Sequence, residues 1–356
     1  MPRLIACSLL GLLLISLPIQ AADDKEGPTY TDPAEADADF PFQGEYRGYY
    51  RPNGSDRSST SIAVQVIAMG NGQFTATKYY GGLPGEGWFG GRRYTMQGER
   101  NGDIVRLHDN AMDIEIHDGM AMIATTDMRG TGQLTRVQRI SPTMGAAAPD
   151  GAIVLFDGSN TDHFKNAKVS PEGLLMAGTE TKDAYGDFRL HGEFLLPYKP
   201  LARGQGRGNS GFYLQGRYEV QVLDSFGLEG IENECGALYK TKRPDINMCL
   251  PPLQWQTYDI DFSPAKFDEA GKKVRDMQIS VWHNGVAVHS SAFIPNKTGA
   301  GIAEGPQPLV TKIQDHGNPV VYRNIWLIDR TKPDSVGDAW LQLPTRAAPV
   351  PIRFGP

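Results

Sequence analysis

The chain lacks an excess of positive charge: 35 Lys and Arg stand against 41 Asp and Glu, a net charge of −6. No basic stripe is available to meet phosphates, which excludes nucleic acid as a partner. Cysteine is scarce, three residues in 356. No Cys-x-x-Cys or His-x-x-x-His spacing accompanies these cysteines, so the usual zinc-ligand patterns are missing. Beyond the first residues no apolar run is long enough to cross a bilayer, so no integral membrane segment is expected there. No stretch combines helix caps with a 3.6-residue apolar period. Two catalytic motifs are also absent. Gly208-Asn209-Ser210-Gly211 is not Gly-x-Ser-x-Gly and leads into a strand rather than a helix, which weakens a serine hydrolase reading. No Glu-x-x-x-Glu or Glu-x-Asp-x-x-Glu strand pattern marks a paired-carboxylate glycosidase.

What is present begins with Arg3, the apolar run Leu9-Leu10-Gly11-Leu12-Leu13-Leu14-Ile15, and small residues at Ala21 and Ala22. One early cation, a short apolar stretch and a small-residue exit predict a secretory signal over residues 1–22. An uncleaved N-terminal anchor is the other reading. The mature protein is then expected to be soluble and periplasmic or secreted. Leu4-Ile5-Ala6-Cys7 resembles a lipoprotein box but comes too early in the chain. Once Cys7 leaves with the signal, Cys235 and Cys249 remain in an oxidising compartment. A disulfide between them is the favoured expectation, worth about 3 kcal/mol by loop entropy. Two buried free thiols, or half a metal site, are the alternatives.

The 41 glycines and 25 prolines fit turn-rich β structure. Residues 23–38 are acidic, Ala-rich and Pro-containing, and read as a disordered leader. Residues 39–140 hold short alternating runs separated by Gly70-Asn71-Gly72 and Asp118-Gly119, both hairpin signals. They predict a small antiparallel β domain, a meander closing into a barrel or sandwich. Its Gly-rich segment Gly81-Gly82-Leu83-Pro84-Gly85-Glu86-Gly87-Trp88 lacks the Lys-Ser/Thr ending of a phosphate loop and opens no helix. It reads as a structured surface loop with Trp88 and Phe89 packed or offered to a partner. Residues 141–150 form a linker. Residues 151–330 are again nearly all strand and predict an all-β, two-sheet jelly-roll sandwich. Residues 331–356 form a Pro-rich tail.

Within the second domain, strand parity separates a core face from a polar face. Ser210, Phe212 and Leu214 lie on one side of their strand; Asn209, Tyr213 and Gln215 lie on the other. Tyr218, Val220 and Val222 oppose Glu219 and Gln221. Phe188, Leu190 and Phe194 oppose Arg189, His191 and Glu193. Leu309, Thr311 and Ile313 oppose Lys312, Gln314 and His316. Arg323 and Asn324 fall on opposite faces of the last strand. If these polar faces share one sheet, Glu193, Asn209, Glu219, Gln221, Gln314 and His316 converge on one concavity. Carboxylates and an imidazole transfer protons, and amides bind hydroxyls. The same residues would equally make a solvated face, and His316 could simply be a turn histidine.

Several segments together resemble the 3-keto-disaccharide hydrolase domain family, formerly domain of unknown function 1080. They are Val154-Leu155-Phe156-Asp157-Gly158, Asn209-Ser210-Gly211-Phe212, Tyr218-Glu219-Val220-Gln221-Val222-Leu223-Asp224, Gly236-Ala237-Leu238-Tyr239, Trp255-Gln256-Thr257-Tyr258, Gln314-Asp315-His316-Gly317 and Tyr322-Arg323-Asn324-Ile325. The resemblance covers about 151–329 and implies a concanavalin A-like jelly roll in an exported protein acting on an oligosaccharide or glycoside. It implies cleavage of 3-keto-glycosides: C2 proton abstraction, elimination at C1, then hydration. His316, Glu193 and Glu219 are then the candidates for base and acid. Asn209, Gln221, Gln314, Arg323 and Asn324 would bind substrate, with Arg323 or a divalent metal ion stabilising the enolate. A carbohydrate-binding protein without catalysis is the alternative. Cys235 and Cys249 flank a segment where many relatives have no cysteine.

Overall fold

The computed structural model describes residues 27–52 and 59–331, and the backbone strand Ile352–Phe354. The predicted signal at 1–22 and most of the Pro-rich tail lie outside the described residues. Among the described residues there are strands and three short 3-10 turns, and no α-helix. None of them forms a helix long and apolar enough to cross a membrane.

The first domain is a barrel. Eight antiparallel strands run in sequence from Gly44–Arg51 to Thr131–Arg139, and those two strands pair with each other, which closes the sheet and removes its edges. Three hairpins are tight because both turn residues adopt positive φ: Asn71 and Gly72, Asp118 and Gly119, and Asn284 and Gly285 in the second domain. Alternation fills the barrel interior with Tyr46, Val64, Val66, Phe74, Met96, Leu107, Ile114 and Leu134. The leader does not behave as expected from residue 27 onward. Tyr30 exchanges two backbone hydrogen bonds of 2.9 Å with Tyr198 of the second domain and stacks on its ring at 5.7 Å. Those aromatic contacts give the acidic segment an anchor that composition alone concealed. The strand Ile352–Phe354 returns to pair with Thr131–Arg139.

The second domain is a sandwich of two antiparallel sheets. The larger orders Ile153–Phe156, Val321–Asp329, Phe188–Leu195, Trp255–Ser263, Met277–His283 and Val286–Ile294, with Leu175–Met176 added to the second of these. The smaller orders Phe164–Lys165, Thr179–Tyr185, Leu309–Ile313, Asn209–Leu214 and Tyr218–Leu223. Phe188, Leu190, Phe194, Tyr258 and Tyr322 from the first meet Phe212, Leu214, Val220 and Val222 from the second. A polar thread crosses this core: Tyr322 Oη donates to Ser210 Oγ at 2.7 Å, and Ser210 Oγ donates to the Gln314 carbonyl at 2.5 Å.

The two domains exchange side chains. Ile67 of the barrel lies in the sandwich core, and Tyr198 of the sandwich lies in the barrel core. Burying a side chain of this size contributes about 1.5–3 kcal/mol. Thr77 Oγ1 donates to the Gly227 carbonyl at 2.7 Å beside Ile67. The loop from Asp224 to Leu250 is therefore pinned from the barrel side.

Candidate active site

Because the sheets lie back to back, their polar faces point in opposite directions. The predicted single convergence of six residues does not occur. Asn209, Glu219, Gln221 and Gln314 belong to the smaller sheet. Glu193, Arg323 and Asn324 belong to the larger one. Each set faces away from the shared core. Arg323 and Asn324, expected on opposite faces of their strand, both bond Glu193, because the pairing is irregular here and Asn324 takes a positive φ of 46°.

On the larger sheet, Glu193 is fully occupied. Its Oε1 accepts from the Gly145 N–H at 2.6 Å and from Asn324 Nδ2 at 2.9 Å; Oε2 accepts from Arg323 Nε at 2.7 Å. Asn324 Nδ2 and Trp326 Nε1 both donate to the Ala146 carbonyl. Thr143 Oγ1 donates to Asp259 Oδ2 at 2.7 Å, and His191 Nδ1 lies 2.9 Å from Asp259 Oδ1. Burial alone would raise the Glu193 pKa, but hydrogen bonds from His191, Asn324, Arg323 and Gly145 hold it down at about 2. Burial alone would lower that of His191; Asp259 and Glu193 lift it to about 9. The Arg323 guanidinium lies 3.9 Å from the Trp255 ring centroid. This is a clasp that holds the linker, residues 141–150, against the sandwich. It leaves Glu193, Arg323 and Asn324 on the opposite side of the sandwich from Asn209, Glu219, Gln221 and Gln314.

The smaller sheet carries a different arrangement. Register puts Gly211 opposite Gln221, and Tyr213 opposite Glu219. Gln314 joins from the other side, its N–H donating to the Gly211 carbonyl at 2.9 Å. Gly211 is the floor: a Cβ there would stand 2.7 Å from Glu219 Oε1. Asn209, Glu219 and Gln221 are buried, although they point outward from the sheet, because loops roof them. Asn209 Nδ2 donates to the Gln205 carbonyl at 3.0 Å, and Gln205 Nε2 donates to the Asn233 carbonyl at 2.8 Å. The Gln221 amide orientation that satisfies its neighbours donates to Glu219 Oε1 at 3.0 Å and to the Ser210 carbonyl at 2.8 Å.

Among the described residues, three acceptor atoms of this face have no hydrogen-bond partner: Glu219 Oε2, Asn209 Oδ1 and Gln314 Oε1. A buried acceptor without a donor costs roughly 1–3 kcal/mol. Three on one face are best accounted for by a ligand rich in hydroxyls. Burial raises the Glu219 pKa to about 7, and the hydrogen bond with Tyr213 opposes part of that rise. A cavity of about 370 Å³ opens beside Tyr213 and Gln314, and Lys165, Glu180, Lys312 and Asp315 also line it. A larger groove, about 810 Å³, lies on the outer face of the barrel sheet. Its Arg106 and Glu115 pair with each other at 3.0 Å in an exposed setting, and it contains none of the unpartnered atoms.

His316 stands outside strand register. The strand ends at Ile313, and His316 is exposed in the following turn, where its carbonyl accepts from Asn318 Nδ2 at 3.0 Å. Lys199 Nζ donates to Asn318 Oδ1 at 3.0 Å and steadies this turn. His316 is thus an exposed residue two positions past Gln314, and it is not among those lining the cavity beside Tyr213. Sequence reading did not single out Gly211, Tyr213 and Gln205 for the site. Parity had already put Tyr213 on the polar face. Nothing local marked Gln205, whose place depends on a loop folding back.

As for the divalent metal ion, the unpartnered oxygens supply one carboxylate and two neutral amides. Among the described residues no three His, Cys, Asp or Glu are grouped to hold a metal ion. The donor set therefore suits hydroxyls better than a dedicated metal centre.

The expected disulfide is corrected. Cys235 and Cys249 are both buried free thiols. Cys249 Sγ faces the Leu223 and Leu250 carbonyls, each at 3.5 Å, and Cys235 Sγ lies 3.2 Å from Tyr258 Oη. The two thiols also hydrogen-bond each other, without a covalent bond between them.

Residues 151–328 match the family model described as 3-keto-alpha-glucoside-1,2-lyase-like domain. No curated protein matches the chain. Among solved structures, a candidate glycosyl hydrolase from Parabacteroides distasonis is 32% identical, with 51% of this chain and 84% of that chain covered and a TM-score of 0.47. A second candidate glycosyl hydrolase from the same organism is 18% identical, covering 55% of this chain and 99% of that one, with a TM-score of 0.38. The all-β sandwich at 151–328 and its match make this chain a member of the 3-keto-alpha-glucoside-1,2-lyase-like domain family.

Proposed function

We propose that the smaller sheet of the sandwich cleaves 3-keto-glycosides, with Glu219 as the proton-transfer group. The observation that carries this reading is a buried carboxyl with a pKa near 7, set among unpartnered acceptors. A solvated face or a simple lectin surface has no need of a carboxyl balanced between its two forms.

The ketone at C3 acidifies the C2 proton. Glu219 as carboxylate takes that proton, the electron pair moves into the enolate, and the C1–O bond then breaks. The carboxylic acid so formed is positioned to return its proton to the departing oxygen. Addition of water across the new C1=C2 bond completes net hydrolysis, with C2 reprotonated and hydroxyl at C1. Gln314 Nε2 keeps one N–H beyond its contact with Tyr213 Oη and is the amide donor able to hydrogen-bond the enolate oxygen, while both N–H groups of Gln221 hold Glu219 and the Ser210 carbonyl. Tyr213 orients the carboxyl. Asn209 Oδ1 accepts from a substrate hydroxyl, and His316, exposed in the segment after Gln314, is available to the leaving group. The N-terminal apolar pattern supports placing this reaction outside the cytoplasm.

The test uses purified protein, a 3-keto-glucoside and the ordinary glucoside, in deuterated water. Turnover of the keto sugar with deuterium incorporated at C2, and about a hundredfold or greater loss in Glu219→Gln, is the expected result. Binding of both sugars without turnover of either would instead favour a carbohydrate-binding protein. Equal turnover of both would remove the elimination chemistry.

A further inference from the structure

The barrel also contributes one wall of an interdomain cleft. Trp88 is held by a short parallel ladder, Leu83–Pro84 with Gly87–Trp88, and its ring meets Tyr79 edge-on at 5.0 Å. The adjoining Phe89 is 65% exposed. Gly90 and Gly91 stand in open space at positive φ. Across from these residues the sandwich presents Glu229, Arg243 and Asp245. The cleft between the two sides holds about 400 Å³.

Its charged groups are fixed in advance. Arg93 Nη1 donates to the Leu228 carbonyl at 2.7 Å; Arg243 Nε donates to the Gly230 carbonyl at 3.0 Å and its Nη2 to Glu229 Oε1 at 3.1 Å. Lys242 Nζ donates to Asp245 Oδ1 at 2.8 Å. An indole wall facing preorganised guanidinium and carboxylate groups is suited to a sugar ring. The C–H face stacks on the aromatic ring, and hydroxyls find donors and acceptors around it. An apolar ligand would desolvate the ion pairs without replacing water. An anionic ligand would meet Glu229 and Asp245.

We propose that this cleft is a second saccharide subsite, taking a neutral oligosaccharide chain away from the Glu219 face. The inference rests on the reading of the substrate as a glycoside. The two sites share one loop: Leu228 and Asn247 line the cleft, while the Asn233 carbonyl of the same loop accepts from Gln205 at the roof of the Glu219 face. A chain held in the cleft would be bound by the element that covers the reacting end.

The experiment titrates full-length protein with cellohexaose, maltohexaose and laminarihexaose by calorimetry, with a 3-keto-glucoside monosaccharide assayed separately for turnover. At least one hexasaccharide should bind wild type. Trp88→Ala should weaken that binding about tenfold or more, Trp88→Phe should retain part of it through stacking, and Glu219→Gln should leave it intact. Monosaccharide turnover should stay within about twofold in Trp88→Ala, with thermal unfolding confirming that the variant is folded. No hexasaccharide binding up to about 10 mM, undiminished binding in Trp88→Ala, or loss of binding in Glu219→Gln would each overturn the proposal. Retained turnover in Glu219→Gln would instead count against the catalytic reading and leave the cleft's binding result as it stands.

Discussion

Gly211 lies beneath the Glu219 carboxyl so closely that a methyl group in place of its hydrogen would stand 2.7 Å from Oε1, 3.1 Å from Cγ and 3.3 Å from Cδ. Gly211 is in extended strand, so this glycine provides space rather than backbone freedom. Gly211→Ala should therefore fold, because the obstructed atoms belong to a side chain that can move. Displacing Glu219 should reduce kcat by about tenfold or more at a stability cost of about 1 kcal/mol. Steady-state kinetics and thermal unfolding measure both. Full activity in a folded Gly211→Ala protein would show that Glu219 need not sit where it does.

Glu219 should also shape stability against pH. Its folded pKa, about 7, is raised above the ordinary 4.5. The folded state thus holds a proton that the unfolded state has released, and stability falls as pH rises from about 4.5 to about 7. Glu219→Gln cannot ionise. It should be more stable than wild type at pH 8, by on the order of 1–3 kcal/mol, with the difference much smaller at pH 4. Denaturant unfolding at the two pH values decides this; a difference independent of pH would mean that Glu219 ionises freely.

The clasp on the opposite face has the contrary signature. Glu193 has its folded pKa lowered to about 2, so its contribution is present above about 4.5 and is lost as pH falls toward 2. His191, raised to about 9, contributes fully below about 6.5 and loses that contribution as pH rises through 9. Glu193→Gln should destabilise the protein at pH 7 by on the order of 2 kcal/mol, and by less at pH 3. In the folded fraction kcat/KM should remain within about threefold of wild type. A hundredfold loss of kcat would return Glu193 to the chemistry.

Cys235 and Cys249 are free and buried, and burial raises the Cys249 pKa further above its ordinary range. Neither should react with a thiol reagent in the native protein. Both should react after denaturation without reductant, as peptide mapping would detect. A disulfide-linked peptide joining these positions would contradict the structure.

The candidate face was readable in the sequence as far as period two extends. Alternation put Asn209 and Tyr213 on one side of their strand, and Glu219 and Gln221 on one side of theirs. The hairpin residues Asn71-Gly72 and Asp118-Gly119 were legible too, because few residue types tolerate positive φ in adjacent turn positions. Alternation reports only whether a side chain faces its own core. Two sheets sharing one core point their polar faces apart, so the parity that grouped Glu193 with Glu219 carried no information on which sheet each strand joined. Strand pairing decided that. It gave Glu193 to the linker clasp and Glu219 to a roofed face. His316 shows the same limit, since its parity applied only while the strand continued, and the strand stops at Ile313. The raised pKa of Glu219 was likewise beyond sequence. It follows from desolvation, and the residues that exclude water there come from loops distant in the chain, brought over the sheet only by the packed fold.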